Sequence, residues 1–437
     1  MWQHVQYLII DEYSMISKEF LAQLSRHISI AKLGSASDDG ASSFGGVNVL
    51  LCGDLHQFPP VAASSGGALY YSSTSDKFRF SAEAGLGRAI YKKFSMVVVL
   101  KQQVRVTDPV WRSFLANVRR GCVKEEDIQL LESLVLTNPK CVPTDFESEK
   151  WRECSLITPR NAVRTRWNDA AVRKHCCRTG HQLLICPAFD TCVDKGMRRP
   201  INLHEQYVSI KQATNAKNSR KGRGERNGLP DEIPLAIGLK IMVTLNVKTD
   251  LDVTNGARGV IVGIKLDPNE PPFEASAPIV ILTRPPAYIL VKLVRTRANT
   301  LPGLSEGVIP ITPVSKSYSI TMHVVQKDGH VEPVKRTIQR IQFPITPAYA
   351  FTDYRSQGQT IPAAIIDIAN PPTGQRLNSH NLYVALSRCS GRDNVRILRQ
   401  FDRDILQKPL DFELMKEDER LEKLDSSTRE WWESIYE

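Results

Sequence analysis

The residues best suited to chemistry are two adjacent carboxylates, Asp11 and Glu12, which close the apolar run Leu8-Ile9-Ile10 and precede Tyr13-Ser14-Met15. A buried strand that delivers Asp-Glu to its carboxyl end suits nucleotide hydrolysis. The first acid can hold Mg²⁺, and the second can orient or deprotonate a water. An acid pair at a strand end is more often simply solvated, so its weight depends on what lies beside it. Gly53-Asp54-Leu55-His56-Gln57 ends a second apolar run, residues 47–52. A glutamine there can report on a γ-phosphate or position the attacking water. Arg105 and Arg388 fall at the ends of two separate α/β halves. If the halves face each other across a nucleotide, both can neutralise charge on a transferred phosphoryl, worth about a thousandfold or more in rate.

The elements that must position these residues read as follows. Ser17 caps a helix to about residue 33, with Phe20, Leu21, Leu24 and Ile28 on one face. Residues 35–46 form a Ser/Gly/Asp-rich surface loop, and residues 96–100 form a third apolar strand leading to Arg105. Asp108-Pro109 starts a helix whose buried stripe is Val110, Phe114, Leu115 and Val118. Alternating strand and helix predicts an α/β layer with ligands at strand carboxyl ends. A second α/β unit begins with strand 154–158 and a helix from Thr158-Pro159 through Arg173. It resumes near Tyr349 with strand 363–368, helix 379–388 and strand 395–398. Between its parts, residues 234–343 hold short β-rich runs at 240–245, 259–264, 278–282, 289–294 and 317–325, which predict a small inserted β-barrel. Ahead of them, residues 211–227 carry Lys217, Arg220, Lys221, Arg223 and Arg226 and read as a basic loop, solvated or in contact with nucleic acid.

At 437 residues the chain is expected to hold two or three domains. No apolar run reaches membrane-spanning length, and no secretory signal precedes the first strand, so no membrane partner is expected. His175, Cys176, Cys177, Cys186 and Cys192 fit no CxxC-type zinc spacing, and the nine cysteines read as reduced thiols of a nuclear, cytosolic or mitochondrial protein. The net charge is +10, but residues 402–437 hold twelve acids and six bases, a net −6 that leaves +16 on the remainder. A basic body with an acidic tail points to a polyanionic partner, most simply nucleic acid. From Pro409 the tail reads as an amphipathic helix with Phe412, Met415 and Leu421 on its apolar side. Trp431 and Trp432 are expected to dock on the second α/β domain or to bind a partner.

These segments together resemble a known family. Leu8-Ile9-Ile10-Asp11-Glu12-Tyr13-Ser14-Met15 resembles motif II, the Walker B element, of Pif/RecD-like superfamily-one DNA helicases. Gly53-Asp54-Leu55-His56-Gln57-Phe58-Pro59-Pro60-Val61 resembles their motif III, and the segment ending at Arg105 resembles motif IV with its arginine finger. Tyr354-Arg355-Ser356-Gln357-Gly358-Gln359-Thr360 resembles motif V, and Tyr383-Val384-Ala385-Leu386-Ser387-Arg388 resembles motif VI. The segments 105–111 and 348–358 look most like helicases of Helitron-type transposons.

The resemblance implies an α/β protein with two RecA-like P-loop NTPase motor domains that bind ATP and Mg²⁺ between them. Such motors move five-prime to three-prime along single-stranded DNA and open duplex junctions. The implied division is residues 1–150 for a partial first domain, 151–233 with 344–401 for the second, 234–343 for an SH3-like β-rich insert, and 402–437 for the helical tail. Asp11 would ligate Mg²⁺, Glu12 would activate water, Gln57 would couple phosphate sensing to DNA, and Arg105 and Arg388 would contact the γ-phosphate. Gln357 and Gly358 would line either the nucleotide or the DNA side of motif V. Tyr354, Arg355 and Ser356 would meet DNA, as would Thr158, Arg160 and Asn161, although a helix-start role explains Thr158 equally well. Repair, recombination, telomere maintenance and transposition are the implied processes, in the nucleus or alternatively the mitochondrion, with no oligomeric state implied.

One part of the family pattern is missing. The family uses a GxxxxGK[ST] phosphate loop upstream of Walker B, and no Gly-Lys-Ser/Thr triplet occurs in the sequence. The chain is therefore expected to be the carboxyl-terminal portion of a helicase whose first motor domain is cut short. Without the loop amides and lysine, tight ATP binding should fail. The alternative reading is an ATP-incompetent remnant that still binds single-stranded DNA.

Overall fold

The computed structural model describes residues 2–32, 42–60, 66–72, 81–152, 154–194, 196–218, 229–297, 300–325, 331–371 and 376–436. The chain divides into two compact units, one formed by Met1–Arg164 with Phe351–Glu437 and the other by Thr165–Ala350.

The first unit holds two parallel sheets. Tyr7–Ile10 pairs with Asn48–Leu51 in register from Tyr7↔Asn48 to Ile10↔Leu51. Successive strand residues face opposite sides, so Leu8, Ile10, Val49 and Leu51 pack on the core while Tyr7 and Ile9 are 66% and 67% exposed. The apolar run expected to be buried throughout is thus covered on one face only. Ser17 caps Lys18–Lys32 by accepting from the Phe20 amide at 3.1 Å. Leu21, Ala22, Ser25 and Ile28 turn inward, whereas Phe20, placed on the apolar face by the sequence, is exposed. Ala82–Lys92, unforeseen from sequence and capped by Ser81, packs against this helix. The approach is close enough that a Cβ built on Gly87 would lie 1.9 Å from the Lys18 carbonyl oxygen.

Residues 96–100, expected as a third apolar strand, form no strand. Val98 and Leu100 are exposed, and the backbone is fastened instead to the carboxyl-terminal helix Phe412–Tyr436. The Val97 amide donates to Thr428 Oγ1 at 3.0 Å and the Val99 amide to Asp425 Oδ1 at 2.7 Å. That helix also differs from expectation. Its inward residues are Leu414, Glu417 and Leu421, packed on the core of the first sheet, while Phe412, Met415, Trp431 and Trp432 are exposed. Trp431 and Trp432, expected to dock on the second α/β domain or to bind a partner, are 48% and 53% exposed.

In the second sheet, Ala364–Ile366 lies between Ser155–Ile157 and Val395–Ile397, parallel to both and buried at every position. Phe351 flanks it, its carbonyl accepting from the Thr158 amide at 3.0 Å. Helix Pro109–Arg120 starts at Asp108, whose carboxylate accepts from the Val110 and Trp111 amides, and stops at Gly121, φ 66°. Its buried stripe begins at Trp111, not at the half-exposed Val110. Helix Ser379–Leu386 is likewise capped, by Asn378.

The second unit is entered by helix Asn161–Thr179 and is rich in strands. Five of them form an antiparallel sheet in the order Val308–Ile311, Tyr288–Leu293, Arg258–Lys265, Lys240–Val243, Ile345–Pro347. A four-stranded sheet joins the hairpin Val314–Val325 and Val331–Gln342 to Phe189–Asp194 and Met197–Pro200. The strands between residues 183 and 200 lie ahead of the β-rich stretch read from sequence, and helix Leu203–Asn218 occupies the start of the expected basic loop. Residues 219–227 of that loop, like 35–41 of the earlier one, lie outside the described residues. The helix is locked through Glu205, 1% exposed, which takes two hydrogen bonds of 2.8 Å from the Arg199 guanidinium.

Gly87→Ala should destabilise the first unit by about 1–3 kcal/mol, because a backbone carbonyl has nowhere to retreat. A Cβ on Gly85 of the same helix would meet nothing within 4 Å, so Gly85→Ala should be neutral or gain up to about 1 kcal/mol. Urea denaturation midpoints separate the two. In the second unit, the Arg199 hydrogen bonds hold the Glu205 carboxyl at about 2 against the upward push of burial, below its ordinary 4.5. An acid depressed in the folded state stabilises above its unfolded pKa, and that contribution is lost as pH falls through the folded one. Melting of the second unit should steepen as pH drops from 4.5 toward 2, and Glu205→Gln should flatten that limb.

Candidate functional site

Every residue singled out around Asp11 and Glu12 lies in the first compact unit. The ladder of the first sheet continues past its strands: the Cys52 amide donates to the Ile10 carbonyl at 2.8 Å, and the Tyr13 amide to the Cys52 carbonyl at 3.1 Å. The acid pair is thereby set beside Gly53, where φ is 149° and a Cβ would come within 3.0 Å of Tyr13. Glu12 itself is left-handed, φ 52° and ψ 43°, a conformation that costs a non-glycine residue about 1 kcal/mol. Asp11 is exposed, and its carboxylate accepts from the Glu12 amide at 2.8 Å.

Glu12 does not stand alone. Gln357 Nε2 donates to Glu12 Oε2 at 2.8 Å, while Gln357 Oε1 accepts from the Phe58 amide at 3.2 Å. One amide side chain therefore bridges the segments that follow both strands of the first sheet. Gly358 follows with φ 73°, and a Cβ there would sit 3.4 Å from Glu12 Oε1. Tyr354 rests its ring on Phe58, centroids 5.2 Å apart. Arg355 is exposed, whereas Ser356 is fully buried and its hydroxyl donates to the Asp353 carbonyl.

The turn that carries Gln57 is held at several points. Arg119, in the last turn of Pro109–Arg120, reaches Asp54 with Nη2 at 3.0 Å and Nε at 3.2 Å. Tyr383 donates its hydroxyl to Asp54 Oδ2 at 3.0 Å, and the His56 amide donates to Oδ1 at 3.1 Å. Burial pushes the Asp54 carboxyl up, but the Arg119 charge and hydrogen bonds win and hold it below its ordinary 3.8. Gln57 Oε1 is buried and, among the described residues, has no hydrogen-bond partner.

Arg388 is 1% exposed, and among the described residues its hydrogen bonds go to neutral oxygens: the carbonyls of Val384, Ser356 and Gln359 and the Ser387 hydroxyl. Burial, then the charge of Arg105, pull its pKa down to about 10, and Glu12 acts in the opposite sense. A desolvated guanidinium beside a second arginine is a place where an anion lowers the energy. Arg105 Nε donates to Thr360 Oγ1 at 3.0 Å, beside the same segment.

The strand-end residues of the second sheet are engaged internally. Thr158 is fully buried with its hydroxyl on Asp367 Oδ2 at 3.3 Å, and Arg160 Nη2 pairs with the same oxygen at 2.6 Å. Asn161 is exposed at the start of its helix. Sequence reasoning missed Arg119, Tyr383, His56 and His380 as supports of the Gln57 turn. Tyr383 and His56 stood inside quoted motifs, but Arg119 carried no signal beyond the end of a helix.

Mg²⁺ usually takes one or two carboxylates and completes its shell with water and phosphate. Exposed Asp11 beside Glu12 fits such a site, buried Arg388 fits the phosphates of a nucleotide, and Gln57 Oε1, an acceptor, fits a water that donates to it. Among the described residues no group of three or more His, Cys, Asp or Glu is placed to cage a metal, and the nine cysteines are free.

A family model described as PIF1-like helicase matches residues 1–80. Over 407 residues the chain is 23% identical to the ATP-dependent DNA helicase PIF1 of Xenopus laevis, covering 93% of this chain and 48% of that protein. Over 419 residues it is 25% identical to the ATP-dependent DNA helicase PIF7 of Trypanosoma brucei brucei, covering 92% and 36%. The chain thus spans half or less of the length of these relatives. Among solved structures it is similar to the Pif1 helicase from Candida albicans, with a TM-score of 0.58, 18% identity and coverage of 97% and 77%. It is also similar to the Pif1 helicase from Bacteroides in complex with ADP-AlF3 and single-stranded DNA, with a TM-score of 0.57, 19% identity and coverage of 97% and 76%. The fold is therefore the α/β fold of Pif1 helicases.

Arg119→Ala should cost about 1–3 kcal/mol, since it strands a largely buried carboxylate while part of the lost pair is solvent-screened. The sign of its pH dependence follows from the depressed Asp54 carboxyl. In the unsubstituted chain the pair stabilises above 3.8 and fails as pH falls through the lower folded value. In the variant the carboxyl rises, so the acid transition should begin at higher pH. Chemical denaturation across an acid series reads both effects.

Proposed function

We propose that this chain supplies the Walker B, sensor and arginine side of the ATP site of a Pif1-like DNA helicase, the portion that follows a phosphate loop. The observation that carries the reading is Arg388, buried among neutral oxygens within reach of the charges of Arg105 and Glu12. A cation in that setting is built to meet a polyanion, and an acid beside it at a strand end is built for a metal and a water. Within this reading Asp11 holds Mg²⁺, Glu12 orients and deprotonates the attacking water, and Gln57 reports the phosphate to the rest of the motor. Arg388 and Arg105 balance the charge that develops during transfer. Tyr354 and Arg355, together with Arg160 and Asn161, belong to the single-stranded DNA side, with five-prime-to-three-prime movement and a nuclear or mitochondrial setting. Buried Ser356 holds the segment that carries Tyr354 and Arg355. The Helitron-type likeness of segments 105–111 and 348–358 is part of the same proposal.

A second reading has its own observation. No Gly-Lys-Ser/Thr triplet occurs in the 437 residues, so these residues by themselves lack the amides and lysine that cradle β- and γ-phosphates. On that reading the chain binds single-stranded DNA through its +16 body without turning over ATP.

ATP hydrolysis measured with and without single-stranded DNA separates them. Turnover that single-stranded DNA stimulates, that Glu12→Gln abolishes and that Arg388→Ala lowers by about a thousandfold supports the first. Salt-dependent DNA binding with no turnover supports the second. If neither appears, both readings fail.

A further inference from the structure

The turn that carries Gln57 is supported from an element that lies after all of the motifs. His56 is 3% exposed, and its Nε2 lies 2.8 Å from Asp418 Oδ2 in the carboxyl-terminal helix. The His56 carbonyl, on the peptide that leads into Gln57, is 2.9 Å from His380 Nδ1. One residue before Asp418, Glu417 is 2% exposed and accepts from Arg88 at 3.3 Å and from Arg420 at 2.7 Å. The helix is thus anchored at Glu417 independently of its reach to His56. Next to this clamped residue, Gln57 Oε1 is buried without a partner among the described residues, which is how an acceptor reserved for a ligand or its water is left.

We propose that Asp418 is a positioning residue: by holding the His56 imidazole it fixes the turn that presents Gln57, so the carboxyl-terminal helix is part of the nucleotide-sensing apparatus. The inference rests on the nucleotide-site reading above for what Gln57 senses, but the clamp is a separate physical claim. Asp54 sets the front of the turn through Arg119 and Tyr383, and Gln357 sets its exit at the Phe58 amide. Between these points the Gln57 amide closes the turn on the Asp54 carbonyl at 3.0 Å, and His56 is gripped at its side chain and its carbonyl from two different helices. Losing the side-chain grip leaves the middle of the turn held only by the Gln57 amide on the Asp54 carbonyl and by His380 on the His56 carbonyl, and so looser than before. Because linkage is reciprocal, whatever engages Gln57 also tightens the helix that carries Asp418.

Amide hydrogen exchange on the full chain tests this. Asp418→Ala should raise exchange at residues 55–58 by about tenfold, the loss expected for one charge-assisted hydrogen bond. The helix Phe412–Tyr436 should stay protected through Glu417 and Leu414. Asp418→Asn, which keeps an acceptor for His56, should restore most of the protection. No change at residues 55–58, a rise shared evenly along the whole helix, or no recovery in Asp418→Asn overturns the proposal. The nucleotide-site reading is tested separately by the ATP hydrolysis assay above, while the clamp stands or falls on the Asp418 variants.

Discussion

The structure of the candidate site depends on the Asp54 carboxylate, held by Arg119 from one helix and Tyr383 from another. A carboxylate leaves water only if its charge is met, and here it is met by residues 65 and 329 positions away along the chain. That requirement ties the turn after the second strand of the first sheet to helices Pro109–Arg120 and Ser379–Leu386 at once. Gln357 makes the same kind of connection with a single amide, linking Glu12 to the Phe58 backbone. The two sheets of the first unit are therefore joined through polar side chains at their carboxyl ends, where an α/β layer places its ligands.

Charge is distributed in the same spirit. The acidic tail is not a solvated run: Asp411, Glu413, Glu417, Asp418 and Asp425 each accept a hydrogen bond from the body of the first unit. Its acidity is spent locally on Tyr71, Ser72, Arg88, His56 and Val99. Arg388 is the opposite case, a cation kept from water with neutral oxygens around it. The contrast between acids satisfied within the chain and an arginine satisfied only by carbonyls and a hydroxyl separates the scaffold from the site. The same logic distinguishes Arg160 and Arg399, which both neutralise buried Asp367 at the edge of the second sheet.

Much of this was legible in order along the chain. The first strand and its acids, the helix capped by Ser17, the helix started by Asp108-Pro109 and the strands of the second sheet all follow from apolar runs, caps and turn residues, which are local signals. The errors were of other kinds. Residues 96–100 have strand-like composition, yet their amides pair with Asp425 and Thr428 rather than with a neighbouring strand. The helix Leu203–Asn218 was hidden because its anchor is polar, Glu205 on Arg199, and leaves Leu203 and Tyr207 exposed. In the tail helix, the sequence grouped Phe412 and Met415 with Leu421, whereas the buried face carries Leu414 and Leu421 with Glu417 paired to Arg88.

The sequence by itself determined which residue types are available for chemistry, the order in which they occur, and the α/β alternation that carries them to strand ends. These depend on short-range sterics, hydrogen bonding and apolar periodicity, which neighbours in the chain settle among themselves. Only the tertiary structure decided that Gln357 touches Glu12, that Asp54 is met by Arg119 and Tyr383, and that Arg388 is buried among neutral oxygens. Each of these is a choice among many possible long-range partners, and it is made by burial: once a charge or amide is taken from water, the groups the fold brings beside it decide whether it is structural or reserved for a ligand.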